Sequence, residues 1–385
     1  GHILVAFCIC LSHVTFASEA DGHILVAFCI CLYHVTFASE ADVLDTLKNE
    51  EIPLEAQVLS DEELVKYLKK SQNLFEVVSW YPKSNTKDSL NVCLQAEITP
   101  HRYNVQHKLM DLRFINQNRE TVVEDANDEG DDIPESFDAR TRWPYCKSLT
   151  HIRDQANCGA GWAVSTASAL SDRICIASKG TKQVYISSVD FMSCCKSCGY
   201  GCEGGWPIEA FDYFSNQGAV TGGDYGAKNG CLPYPFHPCG RHGNETYYGE
   251  CPNKASTPEC VKKCQKGYRR SYRRDRKYGV DAYEVPNSVK AIQREIMKNG
   301  PVVSTISVYQ DFPLYRKGIY KHRAGLALGY HSIKIIGWGT EKGVPYWLIA
   351  NSWHNDWGEK GYFRMLRGTN HCRIEEDVVA GHVRV

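Results

Sequence analysis

The sequence predicts an α+β protein, with helices and disulfides crowded into the first half of its folded body and strands in the second. Three observations point there. Trp162, Ala163, Thr166, Ala167, Leu170 and Ile174 recur at i, i+3 and i+4 spacing, the pattern of a mostly buried helix. Tyr330–Gly339 and Tyr346–Ala350 are apolar runs of strand length, the first rich in β-branched residues. Twelve of the 18 cysteines fall between residues 146 and 264. At 43% apolar and 23% charged residues the composition is that of an ordinary globular protein, and 385 residues leave room for two or three units.

In chain order, the first element is a duplication. Gly1–Asp21 reads GHILVAFCICLSHVTFASEAD, and Gly22–Asp42 repeats it with Tyr33 in place of Ser12. Two copies are too few for a solenoid. Each copy is instead like a secretory signal: an apolar run (Ile3–Leu11, Ile24–Leu32), then small residues such as Ser39 and Ala41 at a cleavage point, although neither has a basic n-region. Residues 1–42 are therefore set apart as a duplicated signal-peptide-like segment, with a buried apolar strand as the alternative. Nine uninterrupted apolar residues are too few to span a bilayer.

Residues 43–132 read as a pro-segment. Ser60-Asp61-Glu62-Glu63 has the form of a capping box, and Leu64, Val65 and Leu68 follow at helical spacing, so an amphipathic helix is expected from there. Glu124–Asp132 packs six acids and no base into nine residues, a self-repelling run that suits either a processing cut or a solvated linker. Charge divides the chain in the same way. Residues 1–132 hold 10 Lys+Arg against 22 Asp+Glu, and residues 133–385 hold 34 against 23. An acidic front ahead of a basic body argues against a nucleic-acid binder and for a front that docks on the body. Within the body, Lys262–Lys277 carries nine bases and one acid, with Tyr268 and Tyr272 interleaved. That stretch is either a polyanion site or a basic face for the acidic pro-segment.

Thirteen cysteines follow residue 133. Behind a secretory signal they read as a disulfide framework of six bridges and one odd thiol. Zinc is the competing reading, because Cys195-x-x-Cys198 and Cys260-x-x-x-Cys264 have ligand spacing. No metal is expected elsewhere, and no cofactor.

Several further blocks point to chemistry: Asp154–Ala163 (DQANCGAGWA), Cys202-Glu203-Gly204-Gly205, Tyr330–Gly339 (YHSIKIIGWG), Tyr346–Glu359 (YWLIANSWHNDWGE) and His371–Gly381 (HCRIEEDVVAG). With them, residues 133–385 resemble the papain family of cysteine peptidases, in particular the cathepsin B-like branch found in blood-feeding nematodes. The resemblance implies a papain-like fold, with a helical subdomain, a β-barrel-like subdomain and an active-site cleft between them. It also implies roles. A Cys at the N-terminus of the central helix is held as thiolate by the helix dipole and a histidine. His331 is the general base, Asn351 its orienter, Trp353 the ring that shields their contact, and Gln155 the side-chain donor to the oxyanion. Cys158 falls at a position the family bridges, here to Cys202.

At the nucleophile the chain departs from the family. Where the local signature reads C-G-[SA]-C-[WY], this chain reads Cys158-Gly159-Ala160-Gly161-Trp162. Gly161 stands where the thiol belongs, and the cysteine count is one short in the same sense. Deleting a protease nucleophile costs roughly 10⁶ in turnover, so the chain reads as a dead peptidase. Tyr330 also stands before the histidine, where the family has a small residue, and Ser332 follows it. The phenol either narrows the cleft or turns to solvent.

Other expected binding features follow from the resemblance. Gly204 and Gly205 match the segment that pairs with the substrate backbone, and Asp377 matches the acid at the base of the second specificity pocket, the alternative being a surface carboxylate. Cys239–Cys251 resembles the occluding loop, with Arg241-His242 where relatives often carry two histidines. Asp154 is the expected acceptor of Arg241, which makes the loop clamp less sensitive to pH than one built on histidine. Asn244-Glu245-Thr246 on that loop is a glycosylation sequon. Two functions are compatible with these residues. One is a secreted or lysosomal (gut-lumen) non-catalytic homologue that binds peptides, inhibitors or its own pro-segment. The other is an active endopeptidase or peptidyl-dipeptidase digesting proteins such as haemoglobin, which requires a cysteine at 161, one base change from glycine.

Overall fold

The computed structural model describes residues 39–78, 105–110 and 133–385, together with two short strands, β1 (Ala6–Phe7) and β2 (His34–Val35), which pair antiparallel. The rest of the duplicated segment before residue 39, Cys93 and the acidic run Glu124–Asp132 lie outside the described residues.

Serine and acidic residues set the N-terminal helices α1 (Glu40–Asn49), α2 (Leu54–Gln57) and α3 (Asp61–Ser71). The capping box forms at Ser39 and Asp42, which cap each other's backbone N–H groups at the head of α1. It does not form at Ser60, where it was expected. The Ser60 hydroxyl turns to the Asp61 carboxylate instead, 3.2 Å away. Helix α3 does follow, and it buries Leu64, Val65 and Leu68 as the spacing predicts. Burying each of these side chains contributes roughly 1.5–3 kcal/mol. A strand completes the attachment: β3 (Phe75–Val77) pairs antiparallel with a strand of the body.

The first half of the body is helical. It runs β4 (Phe137–Asp138), α4 (Ala139–Arg142), α5 (Gly161–Ala177), α6 (Ser188–Cys194), α7 (Pro207–Asn216) and α8 (Tyr272–Asp275). Helix α5 is the predicted buried helix, buried from Gly161 to Cys175, with its Asp172 and Arg173 paired to Lys334 and Glu295. Six disulfides tie this half together: Cys146–Cys175, Cys158–Cys202, Cys194–Cys260, Cys195–Cys198, Cys231–Cys264 and Cys239–Cys251. Cys372 is the odd thiol. The zinc reading of the cysteines is overturned, because all four sulfurs proposed as ligands are bridged.

The second half supplies β5 (Tyr283–Glu284), α9 (Val289–Asn299), β6 (Val302–Tyr309), β7 (Tyr315–Tyr320), β8 (Ala327–Glu341), β9 (Val344–Ala350), β10 (Tyr362–Leu366) and β11 (Val378–Ala380). The sheet order is β3-β7-β10-β9-β8-β6-β11-β5, with β4 on β8, and only β10 and β7 run parallel. The two predicted strands are β8 and β9. Helix α5 packs across β8, which is why both alternating faces of β8 are buried from His331 to Gly339. At this crossing Lys334 of β8 meets Asp172 of α5 at 2.5 Å, both fully buried. The two halves therefore join along α5 and β8, with the N-terminus of α5 opposite His331.

Candidate active site

Helix α5 begins at Gly161, so the positive end of a 17-residue helix points at this position. Across from it, His331 is fully buried on β8. Asn351, just past β9, accepts a hydrogen bond from His331 Nε2 at 2.8 Å. That bond leaves the lone pair on Nδ1, a buried atom with no hydrogen-bond partner. Trp353 stacks on the imidazole, with centroids 4.9 Å apart. Burial pushes the His331 pKa down to about 4; the Asn351 acceptor opposes the shift and the Lys108 charge adds to it. The ring is therefore a neutral base at ordinary pH.

A Cβ built on Gly161 would lie 2.6 Å from His331 Nδ1 and 2.9 Å from its Cε1. Residue 161 and the base thus face each other directly, closely enough that any side chain at 161 must displace the ring. Gln155 is equally well placed. Its amide oxygen accepts from Ser352 Oγ at 2.7 Å, and its Nε2 donates to Cys158 O at 2.9 Å and to Lys108 O at 2.8 Å. Lys108 belongs to the N-terminal segment. Residues 105–110 run through the cleft, where Met110 and Tyr330 exchange backbone hydrogen bonds of 2.9 and 3.2 Å. Tyr330 therefore flanks the occupied cleft, half-buried.

The other expected residues divide. Gly205 has no room for a side chain, since a Cβ there would lie 2.6 Å from the Trp162 ring, while Gly204 adopts φ 133° and accepts from Tyr200 N–H. Ser332 is fully buried, with its hydroxyl 3.0 Å from that of Thr305. Thr305 N–H donates to Asp377 O at 3.3 Å, so Asp377 and Ser332 adjoin the same threonine.

The expected loop clamp is corrected. Arg241 lies over the Tyr247 ring at 5.1 Å and makes no ion pair with Asp154 among the described residues. Asp154 lies instead beside Lys108 at 3.8 Å and close to His242 and His354. Asp356 takes His242 Nδ1 at 3.0 Å and His354 Nδ1 at 3.3 Å. The clamp is built on histidines, so the expected lower sensitivity to pH loses its basis.

The expected docking of the acidic run Glu124–Asp132 on Lys262–Lys277 lies outside the described residues. The ion pairs with the body that the described N-terminal residues make run from Glu50 to Lys321 and Arg323, from Glu40 to Arg367 and from Lys108 to Asp154. Sequence reasoning missed Lys108, Met110, Ser352, Thr305, His354 and Asp356. Of these, Ser352, His354 and Asp356 had a signal, since all three fall within the quoted YWLIANSWHNDWGE block.

Comparisons with known proteins agree with this geometry. The family model for papain family cysteine protease matches residues 133–382. A cathepsin B-like cysteine proteinase 1 of Ostertagia ostertagi is 56% identical, covering 87% of this chain and 93% of the relative. A gut-specific cysteine proteinase of Caenorhabditis elegans is 44% identical, covering 86% and 92%. Among solved structures, procathepsin B S9 from Trypanosoma congolense superposes with a TM-score of 0.66 at 33% identity, covering 86% of this chain and 99% of that one.

Proposed function

Since the chain belongs to the papain family of cysteine proteases, among cathepsin B-like relatives, we propose that it is a catalytically inactive member that keeps a working peptide-binding cleft. One observation carries the reading: the buried, unpartnered Nδ1 of His331 faces residue 161, and residue 161 is glycine. In the family's reaction that nitrogen takes the thiol proton, and the thiolate attacks the scissile carbonyl. Here the base, its orienter and the oxyanion donor are in place, and no atom at 161 can form the acyl bond. Water attack assisted by His331 leaves only the residual rate that binding and the oxyanion donor supply.

The cleft itself binds backbone. Lys108 O on Gln155 and the Met110–Tyr330 pair are the contacts an extended peptide makes. On this reading residues 1–42 are a duplicated signal-like segment, residues 43–132 a pro-segment that occupies its own cleft, and residues 133–385 the peptidase-like domain. Gly204, Gly205, Tyr330, Ser332 and Asp377 serve peptide recognition. The six disulfides fit an oxidising destination, secreted or lysosomal, and the gut-specific relative favours the gut lumen. Its ligands are peptides, protein substrates or inhibitors; Lys262–Lys277, largely exposed, remains a polyanion surface.

The test compares the chain, cut in trans within residues 111–132 and freed of its pro-segment, with Gly161→Cys treated in the same way. The substrate is an Arg-containing peptide under reducing, mildly acidic conditions. The natural chain should bind without turnover, and the variant should cleave. Cleavage by the glycine form would overturn the proposal.

A further inference from the structure

Beside the cleft, three side chains from distant parts of the sequence converge and leave two buried polar atoms between them without a partner. Asp154 precedes α5, His242 lies on the Cys239–Cys251 loop, and His354 follows Trp353. One potential ligand atom from each lies within 4.8 Å of the others. Their side chains are only 10, 11 and 10% exposed. Two of the atoms are orphans: Asp154 Oδ2 and His242 Nε2 are buried and make no hydrogen bond. The other Asp154 oxygen is already committed, to the Ala156 N–H at 2.7 Å. The two imidazoles stack with centroids 3.7 Å apart. An unpaired carboxylate oxygen and an unpaired ring nitrogen are each costly to bury, and one cation would satisfy both.

We propose that Asp154, His242 and His354 bind a single divalent cation of the zinc class, which pins the Cys239–Cys251 loop to the body of the protein. The donor set decides the class. Two imidazole nitrogens and one carboxylate suit Zn²⁺, whereas Ca²⁺ and Mg²⁺ require mostly oxygen. Zinc bonds of about 2.0–2.2 Å put tetrahedral donors about 3.4 Å apart, so the triad, whose donors lie within 4.8 Å of one another, closes by a contraction of at most about 1.4 Å. Asp356 already supplies the carboxylate that ligating histidines need behind them, since it takes the Nδ1 of both rings. Glu245, 3.3 Å from His354 Nε2, or a water completes the fourth position. Because His242 is the loop's only member of the triad, occupancy joins the loop to two fixed points on the body. The site is independent of residue 161 and stands whether or not the chain cleaves peptides.

Zinc chloride is titrated calorimetrically into the chelator-treated full chain at neutral pH, followed by hydrogen exchange of residues 239–251. The expected result is one zinc per chain and slower exchange in the loop. His242→Ala, His354→Asn and Asp154→Asn should each weaken binding by more than about 10-fold. Asp154→Asn keeps the acceptor for Ala156 N–H, so it tests the ligand without disturbing the turn. His382→Ala, at the exposed His382–Asp281 pair, should leave binding unchanged. Absence of saturable binding, binding that survives both His242→Ala and Asp154→Asn, or loss on His382→Ala would each overturn the site. Binding without slower loop exchange would overturn the pinning.

Discussion

His331 offers a direct reading of what residue 161 lacks. In a thiolate–imidazolium pair the negative sulfur holds the histidine charged. Here burial dominates and the His331 pKa falls to about 4, against 6.5 for the free side chain. Between those two pH values the unfolded chain binds a proton that the folded chain refuses, so folded stability falls as pH falls through that window. The loss is complete below pH 4 and amounts to about 3 kcal/mol. His331→Asn removes the group. Between pH 7.5 and about 4 the variant should therefore lose about 3 kcal/mol less stability than the natural chain in urea, other groups cancelling in the difference. Selective ¹³C labelling of histidine Cε1, assigned by the same variant, reads the titration itself. Gly161→Cys supplies the control. A Cβ there meets Nδ1 at 2.6 Å, so the ring must yield by almost 1 Å, at a cost of about 1–3 kcal/mol. The new thiolate should then raise the His331 pKa above 6.5. A natural chain whose His331 already titrates at or above its ordinary value, or a His331→Asn variant with an unchanged stability slope, would refute this account of the site.

Other expectations follow from the same contacts. Leu68 is fully buried under the sheet, so Leu68→Ala should cost about 2–5 kcal/mol of pro-segment docking, measured as faster release after a cut in residues 111–132. About 1 M salt should change that release little, because the described attachment is mainly apolar burial and a strand; strong salt sensitivity would restore the electrostatic view. Asp172→Ala strands the buried Lys334 ammonium and should cost about 3–5 kcal/mol, while Asp172→Leu with Lys334→Met should recover most of it in a denaturation midpoint. Gln155→Ala should weaken peptide binding to the natural chain only about 5-fold, the worth of one hydrogen bond. In the Gly161→Cys background the same change should lower kcat by about 10²–10³, and equal small effects in both would remove Gln155 from the oxyanion role.

The sequence disclosed what periodicity and local blocks encode. Helix α5, strands β8 and β9, the apolar face of α3 and the single odd thiol all follow from spacing or counting. Three things did not. The capping box at Ser60 satisfied the pattern and failed: Asp61 stands at φ 50°, and the Ser60 hydroxyl donates to its carboxylate and accepts from no helix N–H. The docking of the N-terminal segment was assigned to charge totals, which are sums over regions and do not locate contacts. Its attachment rests on Leu64, Leu68 and β3, whose partners on β7 lie some 240 residues away. The Asp154–His242–His354 cluster escaped for the same reason, since no short spacing links three residues brought together only by the closed loop and the turn after β9.

If the chain is the inactive member proposed above, the N-terminal segment explains how the nucleophile can go while everything around it stays. Among the described residues its hold on the body includes the α3 side chains, the β3–β7 pairing, the Met110–Tyr330 pair, Glu50 on Lys321 and Arg323, Glu40 on Arg367, and Lys108 O on Gln155. None of these contacts involves a side chain at 161, so glycine there takes nothing from docking or folding. Gly161 even relieves the crowding that a Cβ would impose on His331. What it removes is felt only once the segment leaves and a substrate carbonyl takes the place of Lys108 O. At that point Gln155 can still hold the carbonyl and Tyr330 the strand, but no thiolate follows. On that reading binding and turnover draw on different atoms in this cleft, and glycine at 161 bears wholly on the second.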